Sequence, residues 1–430
     1  MTEQTSKSLD FSNLGIAPKL LDIIGQLRFT TPTPIQRKSI PIAIEGKDLV
    51  GIAQTGTGKT MAFGIPMIQR LASHGGKGLV LVPTRELALQ VNESLKNIGG
   101  KLGLRTAVLI GGAPKEPQLK ALAARPHLII ATPGRLIDYL QGRVLHLRDV
   151  KILVLDEADL MFDMGFIPQI TEILKSVPAE RQTLLFSATM PSAIMQIIAR
   201  HMKLPVSIEV APSGTPVENV TQEVVVINRE DKFEQMKKTL AQYRGSVLVF
   251  ARTKHGVKNL ARKLKTQGFS VAEIHSGRSQ NQRSSALKGF KIGQHRILIA
   301  TDIAARGIDV QNIELVLNFD LPETSEDYVH RIGRTARAGK NGQAITFASP
   351  SEILAVRKIE QLIKKTLPKT HLATAESEAP ERYPRRSAQG PQPARFNRQR
   401  RSPYRQHSDG PRNSFSRRKK KFQPSNKKYY

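Results

Sequence analysis

Short runs of apolar, often β-branched residues recur from residue 47 onwards, and helix-like segments separate them. The first half of the chain contains "DLVGIA", "GLVLVP", "TAVLIGG", "HLIIATP", "KILVLDEA" and "TLLFSAT". These runs are apolar throughout rather than alternating between apolar and polar positions, which is typical of parallel strands buried on both faces. The pattern therefore predicts an α/β fold built on a parallel sheet.

The second half repeats this pattern in "SVLVFART", "FSVAEIHS", "HRILIATD", "IELVLNFD" and "QAITFAS". A segment rich in turn-forming residues, "VAPSGTPVENV", separates the two halves. Near the end, Ser349, Pro350 and Glu352 form a helix-start signal ahead of an apolar face. We predict a flexible N-terminus at 1–9, two α/β domains in tandem at 10–209 and 220–368, and a linker at 210–219 between them.

The composition changes abruptly after the second domain. Residues 371–430 hold 16 Lys and Arg against 4 Asp and Glu, together with seven prolines and almost no Ile, Leu or Val. Such a composition cannot offset the entropy lost on ordering, so we predict a disordered basic tail at 369–430. Its aromatic residues mostly lie within two positions of Arg or Lys, a pairing suited to stacking on bases and neutralising phosphates.

The charge of the whole chain is +30, and residues 371–430 supply only +12 of it. This excess points to a polyanionic partner, most often nucleic acid, although a merely solubilising charge is the alternative. The sequence shows no basic amphipathic helix suited to an anionic membrane and no apolar run near the roughly 20 residues that span one. It has no cysteine and no signal-peptide pattern at its start, so we expect a cytoplasmic protein without disulfides or thiolate metal sites.

The most unusual polar residues follow directly after the apolar runs. In an open parallel sheet, ligands gather at the carboxyl ends of the strands. Four runs lead into such polar stretches, namely "QTGTGKT", "DEAD", "SAT" and "TDIAARGID". Because all four follow the carboxyl ends of predicted strands, they favour an organised site.

The segment "AQTGTGKT" at 53–60 nearly fits the phosphate-binding loop G-x-x-x-x-G-K-[ST], with Ala53 in place of the first glycine. Gly56 and Gly58 let the backbone wrap a phosphate, and the following helix offers its positive end. Lys59 would contact the outer phosphates, and Thr60 would offer a hydroxyl to Mg²⁺. The alternative is an ordinary glycine-rich turn.

The segment "DEAD" at 156–159 follows a predicted buried strand. Asp156 could hold Mg²⁺, largely through water, and Glu157 could orient or deprotonate an attacking water. Asp159 would couple neighbouring segments. The alternative is a set of surface carboxylates that cap the next helix.

The segment "HRIGRTARAG" at 330–339 lies in the second domain, which has no phosphate loop of its own. Arg334 and Arg337 lie three apart, so on a helix they would share a face. They could neutralise charge on a nucleotide held by the first domain, as an arginine finger does. A solvated basic face that also includes Arg331 is the alternative.

Taken together, these segments resemble the DEAD-box RNA helicases over about residues 10–365. The resemblance also rests on "FTTPTPIQ", "PTREL", "GG" at 111–112, "TPGR" and "VFART". It implies two RecA-like domains and RNA-dependent ATP hydrolysis. The segment "HSGRSQNQR" and the basic tail look most like the bacterial RhlE-like subgroup. Two positions depart from the family, because Arg28 and Ala336 stand where many members have glycine.

The resemblance implies roles for individual residues. Gln36 would read adenine, Phe29 would pack on the base unless it is ordinary core, and Asp309 would bind ribose. The remaining nucleotide contacts would come from the phosphate loop: Ala53, Gln54, Thr55, Gly56, Thr57, Gly58, Lys59 and Thr60. Coupling between the nucleotide and RNA would involve Asp159, Ser187, Ala188, Thr189 and His330, although Ser187 and Thr189 could instead cap a helix.

The implied RNA contacts are small residues, hydroxyls and arginines, which grip phosphates and 2′-hydroxyls rather than read bases. They are Pro83, Thr84, Arg85, Gly112, Thr132, Pro133, Gly134, Arg135, Arg252, Gly277, Thr301, Arg306 and Gly307. We therefore expect ATP and Mg²⁺ as cofactors, and single-stranded or short duplex RNA as a partner with little sequence preference.

The function that follows is an ATP-dependent RNA helicase, acting as a monomer, that separates short duplexes or remodels RNA–protein complexes. Roles in ribosome assembly or RNA decay, with partner proteins bound through the tail, stay open. One alternative is an ATP-gated RNA chaperone or clamp that acts mainly by binding or annealing. A DNA translocase is a weaker one.

Overall fold

The computed structural model describes residues 10–54, 56–210, 220–305, 310, 313–336 and 341–372. Two seven-stranded sheets organise this part of the chain, and every strand pairing in them is parallel. This confirms the predicted tandem of α/β domains. Within the described residues, no helix is both long enough and apolar enough to cross a membrane.

The first sheet has the strand order β3-β4-β2-β5-β6-β1-β7. Its strands are β1 (Leu49–Ile52), β2 (Lys77–Leu81), β3 (Thr106–Leu109), β4 (Leu128–Ala131), β5 (Val150–Leu155), β6 (Gln182–Ser187) and β7 (Val206–Glu209). The helices around it are α1 (Pro18–Gln26), α2 (Pro34–Ile44), α3 (Lys59–His74), α4 (Arg85–Gly99), α5 (Lys115–Ala123), α6 (Pro133–Gln141), α7 (Ala158–Asp163), α8 (Ile167–Ser176) and α9 (Ser192–His201). All six apolar runs of the first half contain strands, whereas the short edge strand β7 was not predicted.

The second sheet has the order β10-β11-β9-β12-β13-β8-β14, so it repeats the topology of the first strand for strand. Its strands are β8 (Val220–Val226), β9 (Ser246–Phe250), β10 (Val271–Ile274), β11 (Ile297–Ala300), β12 (Ile313–Asn318), β13 (Gly342–Ala348) and β14 (Lys369–His371). The helices are α10 (Lys232–Gln242), α11 (Lys254–Thr266), α12 (Gln280–Lys291), α13 (Asp302–Ala305), α14 (Ser325–Ile332) and α15 (Ile353–Ile363). Short 3₁₀ turns lie at Ser12–Leu14, Gly100–Leu102 and Pro350–Glu352.

The core explains why the strands are apolar throughout. In β6, Leu184 and Phe186 belong to a hydrophobic cluster on one face of the sheet, and Leu185 belongs to the cluster on the other face. Successive side chains of a strand point to opposite faces, so a sheet covered by helices on both sides needs an apolar residue at every position. The polar residues that remain are therefore concentrated at the ends of the strands.

The end of the second domain differs from the prediction. The predicted tail begins at 369, but Lys369–His371 form strand β14, which pairs in parallel with β8. The Leu372 amide also donates to the Val226 carbonyl at 2.9 Å. Main-chain pairing along an open sheet edge needs no apolar side chains, which is why the composition did not reveal it. The rest of the predicted tail, the N-terminus at 1–9 and linker residues 211–219 lie outside the described residues.

The two positions at which many members of the resembled family have glycine both have a positive φ here. It is +61° at Arg28 and +54° at Ala336. A left-handed conformation costs a non-glycine residue about 1–2 kcal/mol, and the greater freedom of glycine in the unfolded chain offsets part of that. We expect Arg28→Gly to raise the free energy of unfolding by about 0.5–1 kcal/mol in urea denaturation. Arg28→Ala is the matched control, since it removes the same exposed side chain but keeps the strain. An equal gain from both would show that the side chain, not φ, is responsible.

Candidate active site

The phosphate-binding loop joins β1 to α3 at the carboxyl edge of the first sheet. Gly56 and Gly58 have φ of +84° and +90°, and α3 begins at Lys59 directly after them. The Thr57 hydroxyl donates to the Gln54 carbonyl at 2.7 Å and closes the turn. This strand, glycine loop and helix arrangement is an anion-binding cradle, so the turn is not an incidental one. Thr55 lies outside the described residues.

Gln36 is bonded to this loop directly. It is the third residue of α2, where its carboxamide oxygen accepts from the Thr33 amide at 3.0 Å, and its Nε2 donates to the Gly58 carbonyl at 3.0 Å. A Cβ on Gly58 would lie only 2.3 Å from Gln36 Nε2, so the contact requires glycine there. A carboxamide has a second proton and a second lone pair, so adenine can still be read. Phe29 is 46% exposed, which excludes the alternative that it is core.

The carboxylates at the end of β5 are buried rather than on the surface, with Asp156, Glu157 and Asp159 exposed by 5% or less. The alternative of surface helix caps is therefore wrong. Burial raises the pKa of Asp156 to about 7; Lys59 opposes this rise and Glu157 adds to it. Glu157 itself has a φ of +52°, a strained conformation for a residue with a side chain. A buried acidic pair with a strained backbone is typical of a catalytic position.

Asp159 is the centre of a hydrogen-bond network with the segment after β6. Its Oδ2 accepts from the amides of Ala188 and Thr189 at 3.0 and 2.8 Å and from the Thr189 hydroxyl at 3.2 Å. Its own amide donates to the Ser187 hydroxyl at 3.1 Å. Ser187 thus accepts an amide of the first turn of α7 without being its N-cap residue, which is Glu157, and the network ties the "SAT" segment to the acidic one.

The same carboxylate faces the second domain. His330 Nε2 lies 3.9 Å from Asp159 Oδ2. Burial alone would raise the pKa of Asp159, but His330, Lys59 and the amides that donate to it hold that pKa below its usual value. Asp159 is therefore stabilised as a carboxylate at the contact with the second domain.

The arginine segment is not arranged as predicted. Helix α14 ends at Ile332, and Arg334 lies in a following turn in which its amide donates to the Arg331 carbonyl at 3.1 Å. Arg334 therefore does not lie on the helix that the predicted shared face requires, because i→i+3 bonds tighten the chain after Gly333. Arg337, like Asp309, lies outside the described residues.

Arg334 and Arg331 are each only 2% exposed, so the alternative of a solvated basic face is also wrong. Arg331 donates to the Asp302 carboxylate at 2.7 Å and to the Asn318 side chain at 3.1 Å. Its guanidinium also packs over the Phe250 ring. Arg331 thus fixes the base of the segment from which Arg334 extends.

The predicted RNA contacts of the first domain converge at one edge. Thr84 caps α4 by accepting from the Leu87 amide, and Thr132, Pro133 and Gly134 begin α6. Arg85 lies against Gly112, because a Cβ on that glycine would fall 2.0 Å from Arg85 Nη1. Burial, and then the nearby Arg283 and Arg135, lower the pKa of Arg85. This concentration of cationic groups suits a phosphate backbone.

Gly112 provides a sharp test of this arrangement, because Gly111 beside it is a natural control. Gly112 has a φ of +66° and no room for a side chain, whereas a Cβ on Gly111 would make an ordinary 3.7 Å contact with Arg85. We expect Gly112→Ala to displace Arg85 and to weaken RNA binding about tenfold. A tenfold loss corresponds to about 1.4 kcal/mol, the size expected for one lost charged hydrogen bond. Binding of a fluorescent ATP analogue should not change. Equal losses from Gly112→Ala and Gly111→Ala would contradict this role for Arg85.

The predicted RNA contacts of the second domain also lie at the ends of its strands. Arg252 follows β9, and its guanidinium, 41% exposed, lies 3.4 Å from Glu352. Gly277 follows β10 and donates from its amide to His275 Nδ1. Thr301 follows β11 and begins the turn of α13. Arg306 and Gly307 lie outside the described residues.

Sequence reasoning missed one contact between the domains. Arg283 on α12 lies 3.0 Å from the Glu86 carboxylate on α4, and Gln280 Nε2 donates to the same carboxylate at 3.3 Å. Both charged side chains are largely buried, at 12% and 6% exposed. Glu86 and Arg283 are too far apart along the chain for the sequence to indicate that they pair. The only signal in the sequence is that Gln280 and Arg283 lie one helical turn apart, which places them on the same face of α12.

Comparisons with known proteins agree with this site. The profile described as DEAD/DEAH box helicase matches residues 33–197, and the helicase conserved C-terminal domain profile matches 231–339. The DEAD-box ATP-dependent RNA helicase CshA of Geobacillus kaustophilus is 45% identical over 360 residues, covering 83% of this chain and 77% of its own. No finding supports the RhlE-like subgroup, which stays a prediction.

Solved structures match both domains together. S. cerevisiae Dbp5 bound to RNA and ADP BeF3 matches with a TM-score of 0.78 and 29% identity, over 85% of this chain and 96% of that chain. Mss116p bound to ssRNA and AMP-PNP matches with a TM-score of 0.79 and 31% identity, over 86% and 80%. With the phosphate loop, the buried acidic segment and the arginine segment placed on two such domains, the chain belongs to the DEAD-box helicase family.

Proposed function

We propose that this chain is an ATP-dependent RNA helicase that separates short duplexes through RNA-stimulated ATP hydrolysis. The observation that carries the proposal is the Asp159–His330 contact. It joins the acidic segment of the first domain to the arginine segment of the second. The relatives named above, an ATP-dependent RNA helicase and two proteins bound to RNA with nucleotide analogues, support the choice of ATP and RNA.

The loop fits a nucleoside triphosphate. The left-handed Gly56 and Gly58 turn the loop so that main-chain amides can face phosphate oxygens, while Lys59 is buried at the start of α3. Gln36 is bonded to the same loop, so recognition of the base and of the phosphates is mechanically linked. When bound, ATP supplies the phosphoryl group whose hydrolysis drives the cycle.

Magnesium fits Thr60 and Asp156. The buried Asp156 carboxyl, whose pKa is raised, gains most from a nearby cation. Within the described residues, His, Asp and Glu form no group of three or more able to hold a metal ion. Water and phosphate oxygens would therefore complete the shell, as is usual for Mg²⁺.

The residues of the site have separate roles in ATP hydrolysis and RNA binding. Glu157 orients and deprotonates the attacking water, and Lys59 and Arg334 neutralise charge on the outer phosphate. Asp159 couples the bound nucleotide to the contact between the two domains. It does so through its contacts with Ser187, Ala188, Thr189 and His330. The RNA-binding residues of both domains hold one strand by its backbone, and closure bends that strand so that its duplex partner separates.

The wider setting is also part of the proposal. The protein acts as a cytoplasmic monomer with little sequence preference, and its tail recruits ribosomal particles or RNA-decay proteins. The net charge of +30 and the absence of cysteine support this setting.

The test measures ATP hydrolysis and strand separation together. We expect single-stranded RNA to stimulate hydrolysis, DNA of the same sequence to stimulate it far less at equal salt, and a short RNA duplex to separate only with ATP. The Lys59→Ala variant should lose both activities. Equal stimulation by DNA and RNA would overturn the proposal in favour of a DNA translocase.

The second candidate, an RNA chaperone or clamp, rests on the pairing of aromatic and basic residues in the tail. Deletion of 373–430 separates the two, and it spares β14, which belongs to the second sheet. A helicase should keep strand separation per bound ATP and lose only RNA affinity. Loss of all RNA remodelling with ATP hydrolysis intact would favour the clamp.

A further inference from the structure

The second domain carries a basic groove at the edge of its sheet, and its lining includes none of the residues assigned above. It has a volume of about 650 Å³ and lies between α11 and the segment around β10, the edge strand. Its cations include Lys258, Arg262, Lys265 and Arg278. The carboxylate in its lining, Glu273, is paired with Arg278. The groove therefore keeps a clear positive charge.

Three of these cations form a row. Lys258, Arg262 and Lys265 lie four and three residues apart, so they share one face of α11, about 6 and 4.5 Å apart along its axis. The opposite face of the helix is fixed in the core by Val257, Leu260, Ala261 and Leu264. Each of the three side chains is exposed, and within the described residues none forms an ion pair with a carboxylate. Three unneutralised cations held in a row on a rigid helix suit a chain of regularly spaced anions.

The groove continues the predicted RNA path. Arg252 and Gly277 are both predicted RNA contacts. Helix α11 begins two residues after Arg252, and Arg278 directly follows Gly277. The groove therefore adjoins, along the chain, two residues predicted to hold RNA, and a strand held there can continue into it. We propose that this groove, which we call the α11 groove, binds the phosphate backbone of RNA that flanks the segment held between the two domains.

An acidic protein segment is the competing occupant. Stable protein interfaces depend on aromatic or aliphatic side chains seated in pockets. The described residues that line the α11 groove are all polar or charged, His255 and Asn259 among them. They offer charge but no aromatic or aliphatic residue as an anchor, which favours a phosphate backbone, where most of the affinity comes from charge.

The inference rests on the proposed function, and its test is arranged so that the two can fail separately. The groove variant combines Lys258→Gln, Arg262→Gln and Lys265→Gln in the full chain. The control variant combines Arg357→Gln, Lys358→Gln and Lys365→Gln, which remove the same charge from exposed positions on and after α15. The probes are fluorescent oligouridines of about 6 and about 20 nucleotides, a range that covers typical single-strand sites.

For the long probe, we expect the groove variant to bind roughly 10- to 100-fold more weakly at about 0.1 M salt, with a salt slope lower by about 2, as three lost phosphate contacts require. The short probe should bind and stimulate ATP hydrolysis as in the unmodified chain, and the control variant should behave like the unmodified chain with both probes.

Equal losses in the groove and control variants would overturn the inference in favour of a general charge effect. Unchanged affinity for the long probe, with binding of a polyglutamate peptide lost, would overturn it in favour of an acidic protein partner. Failure of the short probe to stimulate hydrolysis in the unmodified chain would instead contradict the proposed function.

Discussion

Replacing Glu157 by glutamine should lower RNA-stimulated ATP hydrolysis by about 10²- to 10⁴-fold, the usual worth of a positioned general base. The residue is 5% exposed and is held at a φ of +52° directly after β5. Glutamine has the same shape and can occupy the same strained backbone, but it cannot take a proton from water. ATP binding should therefore persist, because the phosphate loop and Gln36 are untouched. Single-turnover hydrolysis and binding of a fluorescent ATP analogue measure the two effects separately.

The matched control is Glu180→Gln, which makes the same change at an exposed carboxylate of the same domain, in an ion pair with Lys203. It should leave both hydrolysis and binding unchanged. If Glu157→Gln kept a third or more of the activity, a different group would have to orient the water, and the assignment of Glu157 would be wrong.

Removing Arg334 should have an effect of similar or larger size, because arginine fingers contribute about 10³- to 10⁵-fold to phosphoryl transfer. The residue extends from a turn whose neighbour His330 faces Asp159 at 3.9 Å, so its segment adjoins the nucleotide-binding domain. We expect Arg334→Ala to abolish stimulation by RNA while ATP binding, which the first domain provides, changes little. Steady-state kinetics should show a loss in kcat rather than a rise in KM.

Because Arg334 is only 2% exposed, Arg334→Ala could also lower stability. Arg334→Lys keeps the charge and most of the volume, but it lacks the planar fork that matches phosphate oxygens. It should fold normally in thermal denaturation and still lose hydrolysis. Arg357→Ala, at an exposed position on α15, should leave both unchanged. Wild-type hydrolysis by a well-folded Arg334→Lys variant would contradict the finger role.

The strands and the nucleotide loop were predictable because each depends on neighbours in sequence. A buried parallel strand needs an unbroken apolar run, and a phosphate loop needs its glycines, lysine and hydroxyl within a few residues. The burial of Asp156 and Glu157 followed in the same way from the strand before them. Arg334 shows where local reasoning failed, since α14 ends at Ile332 and Arg334 lies in the turn that follows rather than on a helix.

The sequence by itself determined the fold class and which apolar runs form strands. It also determined the phosphate loop and the acidic segment. Only the tertiary structure decided that Gln36 bonds to Gly58, that Glu86 meets Arg283, and that β14 completes the second sheet. Each of these contacts joins residues far apart in the chain. Hydrophobic periodicity indicates which face of an element is buried, but not which distant partner covers it, and only the tertiary packing supplies that information.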